Sequence, residues 1–307
     1  MDVCVSINSN VGDSFTKNNY YYGSSSQLAD EFLNRGHNLT IVHPQDLIML
    51  PGGLHTKKFL KKVDGELIAT RGGYVRPEVF FIRSLGENSE DPRKAAHNLL
   101  SRLSYLEEQG ILVLNSTEST QYEDKVTQKN IQAPFIPNFS IESIGELEAL
   151  VRDEKEGIIA KPIVSFRRIG VVYLSSSEDV KAYFKSDDKV RDYVFERFIP
   201  DQLERRFIFL NGEIIATREV RLKGLPGKEV SDVVDCCMDL TSSDKKIVQS
   251  VIEQTGMFYG CVDFRGDYVL EINGSGTGTL CTSFDGLREY ALENQIVKAV
   301  EEKVYGK

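Results

Sequence analysis

Apolar residues along the chain arrive in two alternating rhythms. Short runs such as VCVSI (residues 3–7), LTIV (39–42), ILVL (111–114) and IIA (158–160) have the length of single strands. Between them, apolar positions recur at spacings of three and four. Leu28, Ala29, Phe32 and Leu33 form one such face, ended by Gly36, and Leu99, Leu100, Leu103 and Leu106 form another, stopped by Gly110. Strand, helix, strand at the start reads as a βαβ unit. The stretch LIATRGGYVRPEVFFIRSL, with its paired glycines, predicts a hairpin leading into a further strand.

A second unit begins after the strand at 111–114. IQAPFIPNFSI carries two prolines and leads into a helix over SIGELEALVRDEKEG, with Ser143 and Glu146 spaced as a capping box. GIIAKPIV and VVYL bracket the turn SFRRIG, a helix follows over SSSEDVKAYFKS, and YVFERFI is a strand. The last third is rich in β signals. RRFIFLNGEIIATREVRL is a hairpin with Asn211-Gly212 at its turn. DLTSSDKKIVQSVIEQTG is an amphipathic helix, GCVDF and YVLEIN pair across Arg265-Gly266-Asp267, and LREYALENQIVKAVEEKV closes the chain as a helix. No internal repeat or low-complexity tract is present.

Composition changes this picture little. The 307 residues, 41% hydrophobic and 27% charged, suffice for two or three domains with real cores. A net charge of −9 argues against a nucleic-acid partner. No apolar run reaches bilayer length, and MDVCVSINSN reads as a first strand, not a signal segment, so no membrane partner is expected. Five cysteines without a C-x-x-C pair, beside four histidines, disfavour a zinc site and fit a reducing cytoplasm. Cys236-Cys237 reads as two positions of one β-segment and not as a redox pair.

Candidate chemistry concentrates late in the chain. Glu271 and Asn273 stand two apart in a strand, hence on one face, and Asp263 lies on the neighbouring strand. Three such oxygens either make a platform for Mg²⁺ or Mn²⁺, or belong to an ordinary hairpin with solvated acids. Lys161, at the end of an apolar strand before a proline, either snorkels from the sheet edge or aims its ammonium into a cleft. Lys125 opens a short helix and, alone, is a plain surface lysine. Glu196-Arg197-Phe198-Ile199 leaves a strand for a proline, which suits a hinge whose backbone meets an adenine edge. Arg206 and Arg221, on the two arms of the Asn211-Gly212 hairpin, have the fork that binds phosphate and carboxylate. GSGTGT is not a dinucleotide fingerprint, since residue 279 is Thr, and no G-x-x-x-x-G-K-[ST] occurs.

Taken in order, these pieces resemble the ATP-grasp superfamily, most of all the branch of bacterial glutathione synthetases and ribosomal-protein glutamate ligases. The likeness covers nearly the whole chain. LADEFLNRGHNLTIVHPQDL is similar to the N-terminal domain of glutathione synthetases, and GILVLNSTESTQYEDK to the segment preceding their first ATP lysine. IIAKP would supply the second ATP lysine, VFERFIP the adenine hinge, LERRFIFLNGEII the acid-x-Arg hairpin, and GCVDF with LEIN the metal ligands.

The resemblance implies an α/β fold with a Rossmann-like N-terminal domain (1–118), a central lid subdomain (119–194) and a C-terminal subdomain with the metal site (195–307), ATP lying between the last two. It implies that Lys125, Lys161, Arg168, Glu196, Arg197, Phe198, Ile199 and Glu204 bind ATP, that Asp263, Glu271 and Asn273 bind the metal, and that Arg206 and Arg221 are catalytic. Arg83, Gly274, Ser275 and Gly276 are the candidate substrate contacts, and the polar, aromatic run over 18–26 either lines the substrate pocket or caps the first helix. The implied reaction is ligation of a carboxylate to an amine (or thiol) through an acyl phosphate, with release of ADP and phosphate. The expected substrates are an amino acid or short peptide, and the expected enzyme is a cytoplasmic homo-oligomer, dimer or tetramer. Alternatives are a ligase acting on a protein or ribosomal peptide, and a weakly catalytic ATP-binding regulator. One departure stands out: where the family's lid loop is glycine-rich, this chain has IVSFRRIG, so that Arg167 and Arg168 either replace backbone contacts to phosphate or impair closure.

Overall fold

The computed structural model describes residues 1–6, 24–42, 46–51, 53–63, 66–82, 92–163, 170–200, 203–223, 230–236, 240–274 and 292–306. Of the expected site residues, Arg83, Arg168, Ser275 and Gly276 lie outside this set, as do Arg167 and residues 18–23 of the polar run.

Four parallel strands, β1 (Asp2–Ser6), β2 (Asn38–Val42), β6 (Val79–Ile82) and β7 (Leu112–Leu114), stand in the order β2-β1-β6-β7. Helix α1 (Ser24–Asn34) connects the first pair and α2 (Pro92–Glu108) the last. Successive residues of these strands serve opposite layers, as the pleat requires. Val3, Val5 and Phe81 join a core with Leu28 and Phe32 of α1, whereas Cys4, Phe80 and Ile82 join a second core with Leu99, Leu103 and Leu106 of α2. Three antiparallel strands, β3 (Leu47–Leu50), β4 (Gly53–Val63) and β5 (Glu66–Val75), extend this sheet to seven. Here the expected hairpin at Gly72-Gly73 is corrected: both glycines lie inside β5, which pairs along β4, and Gly72 takes φ +62° without turning the chain.

The middle sheet, order β10-β9-β11-β8, consists of β8 (Asn138–Phe139), β9 (Ile158–Pro162), β10 (Val172–Leu174) and β11 (Tyr193–Arg197). Its core joins Ile158, Ala160, Leu174 and Phe195 to Leu147 and Val151 of α5 (Ile144–Asp153), which follows two short helices, α3 (Thr117–Thr120) and α4 (Lys125–Gln128). Ser143 caps α5 as its spacing predicts, accepting from the Glu146 amide at 3.3 Å. The reciprocal bond, however, runs from the Glu142 amide to the Glu146 carboxylate.

The third sheet is fully antiparallel, order β14-β13-β12-β15-β16, built from β12 (Leu203–Leu210), β13 (Glu213–Lys223), β14 (Val230–Cys236), β15 (Tyr259–Arg265) and β16 (Tyr268–Asn273). Asn211 and Gly212 turn the β12–β13 hairpin with φ +50° and +87°, the two positive values a type I′ turn needs. One sheet face, with Phe207, Phe209, Val262 and Phe264, packs on Val248, Val251 and Ile252 of a helix over Ser242–Thr255. The other, with Ile208, Leu210, Tyr259 and Cys261, shares its core with the N-terminal layer and with the helix Leu292–Tyr305.

Residues after α3 side with this third sheet. Tyr122, Ile131, Ala133 and Phe135 pack in its core, and Val269 exchanges backbone bonds with Pro134 (2.9 Å) and Ile136 (3.2 Å) along the β16 edge. These contacts tie Tyr122 and residues 131–136 to the third sheet. Among the described residues, no helix is long and apolar enough to cross a membrane.

Candidate functional site

Strand register decides which side chains meet. Arg206 lies opposite Asp263 on one side and Arg218 on the other, while Asp263 lies opposite Glu271, and Cys261 opposite Asn273. Cross-strand partners share a face, so Arg206, Arg218, Cys261, Asp263, Glu271 and Asn273 all project from the face that carries Ile208 and Leu210 further along. Asp263 is fully buried, and the Arg206 fork grips it through Nε and Nη2, both at 2.6 Å. The Asn273 amide donates to Asp263 Oδ2 at 3.3 Å and to Glu271 Oε1 at 3.0 Å, so the two carboxylates converge on one nitrogen. The Cys261 thiol, whose ionisation burial strongly disfavours, leans on Asp263 Oδ1 at 3.9 Å.

Arg221 is not part of this group. It pairs with Leu203 in the register, an odd step from Arg218, and is exposed on the face that carries Arg205 and the Ser242–Thr255 helix. The residue of β13 that faces the site is Arg218. A β-strand's two-residue period puts 206 and 218 together and sends 221 away. The β-bulge between Ile208 and Phe209 sets this parity: an uninterrupted register from the two-residue turn would pair 206 with 217 and bring 221 to the site face.

Both expected lysines face the same charges from neighbouring elements. Lys161 is buried and its Nζ lies 2.6 Å from Glu196 Oε2, while Lys129 binds the other oxygen of Glu196 at 2.7 Å. Glu196 is 2% exposed. Burial alone would raise its carboxyl, but Lys161 and Lys129 outweigh that and hold it below the ordinary value. Lys125 is also buried, and desolvation lowers its pKa even though Glu271 pulls the other way. Glu271, in turn, feels burial first, yet Lys125, Lys161, the Asn273 amide and Arg206 together depress it.

Three of the hinge residues have partners within the protein. The Glu196 side chain is spent on lysines, Arg197 is exposed and makes a forked pair with Glu154 at 3.0 and 3.1 Å, and its amide donates to Pro137. The Phe198 amide donates to Gly157 at 3.1 Å, its ring resting edge-on against Tyr173. An adenine edge would therefore have to meet this segment at Ile199 or through carbonyls. Glu204, buried on the site face, lies 3.6 Å from Arg265.

Three residues beyond the sequence reading organise the site. Gln128 bridges both backbone groups of Ile272, donating from Nε2 at 2.7 Å and accepting at 3.1 Å, which fixes α4 beside Glu271 and Asn273. Asn115 does the same for Tyr259 at 2.8 and 2.9 Å. Lys129 follows Lys125 by one helical turn, a spacing that marks a shared helix face. Gly274, expected as an open substrate contact, is enclosed: a Cβ there would stand 2.7 Å from both Asn115 Nδ2 and Glu123 Oε1. Gly274→Ala should therefore cost about 1–3 kcal/mol by overpacking, read as a lowered urea midpoint at unchanged slope; a variant as stable as the parent would show that the pocket yields.

The lowered Lys125 pKa gives a second expectation. The fold binds this proton less readily than the unfolded chain, so stability rises with pH in the window below the ordinary value of 10.5. In Lys125→Met this contribution should vanish, read as a melting temperature that climbs less than the parent's between neutral pH and that value. The variant should also lose affinity for polyphosphate. A variant that melts lower than the parent would mean that Lys125 serves the apo fold.

The architecture recurs in solved structures along their whole length. PsnB, an ATP-grasp ligase solved with a phosphomimetic variant of a minimal precursor, Mg and ADP, is similar at TM-score 0.65 and 14% identity, over 98% of each chain. The RimK domain protein ATP-grasp of Sphaerobacter thermophilus DSM 20745 gives 0.63 and 13%, over 98% of this chain and 99% of that one. The macrocyclase MdnC of Microcystis aeruginosa MRC, bound with precursor peptide MdnA, gives 0.62 and 13%, over 97% and 100%. No protein-family model matches the sequence, and no curated protein matches it.

Proposed function

We propose that this chain, which has the ATP-grasp fold, is an ATP-dependent ligase that joins a carboxylate to an amine on a peptide, releasing ADP and phosphate. The observation that carries the reading is the convergence of buried Lys125 and Lys161 with Arg206 on the carboxylate pair Asp263 and Glu271, at one end of a sheet face. Buried basic groups of this kind suit phosphate oxygens, and two carboxylates drawn to one donor suit a hard cation, with the Asn273 carbonyl as third oxygen. Bound Mg²⁺–ATP would supply the phosphoryl group that activates the carboxylate as an acyl phosphate, and would neutralise its charge.

The chain's own part is positioning and charge. Lys125 and Lys161 hold phosphate, Glu271, Asp263 and Asn273 hold the cation, and Arg206 fixes Asp263. Arg218, on the site face, is the candidate for stabilising the oxyanion when an amine attacks, in place of Arg221. A peptide acceptor is favoured over a free amino acid because PsnB and MdnC, alike over nearly all of both chains, were solved with precursor peptides.

The test is ADP release from Mg²⁺–ATP with pools of amino acids, short peptides, and longer Asp/Glu- and Lys-containing peptides, followed by mass spectrometry of the peptides. Release that requires a peptide, with loss of one water per bond formed within it, supports the reading. Release with free amino acids alone would move it to a metabolite ligase. Tight ATP binding without release in any pool would favour the weakly catalytic regulator.

A further inference from the structure

Two lysines on one buried carboxylate is an arrangement that electroneutrality does not require. Glu196, nearly inaccessible, carries one negative charge, yet Lys129 and Lys161 approach its two oxygens at 2.7 and 2.6 Å. Lys161 alone would neutralise it. Lys129 stands at the C-terminal end of the α4 turn that begins with Lys125, with its ammonium 4.7 Å from the centre of the Phe135 ring, and the same turn is held to β16 by Gln128. Lys129 is more accessible than Glu196, and the main positive charges acting on Glu271 are those of Lys125, Lys161 and Arg206. The evident partner of Lys129 is Glu196.

We infer that Lys129 is a positioning residue for nucleotide: by sharing Glu196 it leaves more of the Lys161 charge to offer a phosphate. Without Lys129, Glu196 and Lys161 would close into a neutral pair, and Lys125 would face phosphate with Glu271 as its nearest counter-charge. This rests on the nucleotide reading above and adds a residue to it that touches no substrate.

The experiment is calorimetric titration with ATP and with adenosine, so that the readout is binding and not turnover. Losing one unit of positive charge beside a polyphosphate in a partly buried site should weaken ATP about tenfold in Lys129→Met, with adenosine affinity unchanged. Lys129→Gln keeps a donor on Glu196 without the charge and should show the same selective loss, even if the Met variant fails to fold. Lys129→Arg should bind as the parent does. The deciding variant is Lys129→Met combined with Glu196→Gln, which frees Lys161 again and should restore most of the ATP affinity. Additive loss in that double variant, or equal ATP affinity in the parent and in Lys129→Gln, would overturn the inference. A parent that prefers ATP no more than adenosine would instead overturn the nucleotide reading itself, and the inference with it.

Discussion

Glu271→Gln should lower ADP release by at least about a hundredfold while the fold persists. The substitution keeps the size and one acceptor oxygen of residue 271, so packing is untouched. What goes is the negative charge that, in the proposed metal site, would draw a cation toward Asp263 and Asn273. That same charge now offsets Lys125 and Lys161, so its removal leaves the lysines more attractive to phosphate. The two consequences have opposite signs. ATP affinity measured in EDTA should stay equal or tighten, whereas the Mg²⁺ dependence of binding and turnover should collapse. A variant that turns over near the parent rate would sink the metal assignment. A variant weak in both assays would place Glu271 in the scaffold.

Arg206→Met should be the most destabilising single change at the site, at about 3–5 kcal/mol, the usual result of leaving a buried charge without its partner. Asp263 is wholly inaccessible and receives both arms of the Arg206 fork. The neighbouring Asn273 amide and Cys261 thiol are too weak to replace a guanidinium. Adding Asp263→Asn to Arg206→Met removes the second charge as well and should recover a large part of the loss, which chemical denaturation of the four proteins of the cycle would read directly. Simple additivity would mean that the fork is incidental to stability. Arg206→Lys retains charge but only one arm, so it should fall between these limits.

How far the sequence led depends on which physical signal each residue left. Periodicity placed the Rossmann-like strands and the C-terminal hairpins because strands buried on both faces read as apolar runs and Asn-Gly forces a turn. It did not reveal β3 and β4, and it turned the chain at Gly72-Gly73, where β4 offers ladder bonds that override a glycine pair. Asp263, Glu271 and Asn273 could be put on one face from the two-residue period alone. The same rule, applied across the Asn211-Gly212 turn, keeps Arg221 on the Arg206 face, and it is the bulge between Ile208 and Phe209, unmarked in the sequence, that brings Arg218 there instead. The family resemblance, too, points to Arg221. VFERFIP suggests a hinge backbone, and nothing in it says that the Glu196 side chain turns inward to two lysines. Gln128 and Asn115 were invisible for a plainer reason: each acts on a backbone 144 residues away.

The Gln128 clamp has a further effect, on how the protein behaves in company. β16 stands last in its sheet, and a last strand ordinarily shows its amides and carbonyls to any chain that drifts by. Here the outward groups of Ile272 are taken by a side-chain amide, and those of Val269 by Pro134 and Ile136. At these positions the strand bearing Glu271 and Asn273 is closed to recruitment. Crowded molecules cannot zip their sheets together there without first peeling residues 128–136 away, so the protein is guarded against aggregation along this part of the edge.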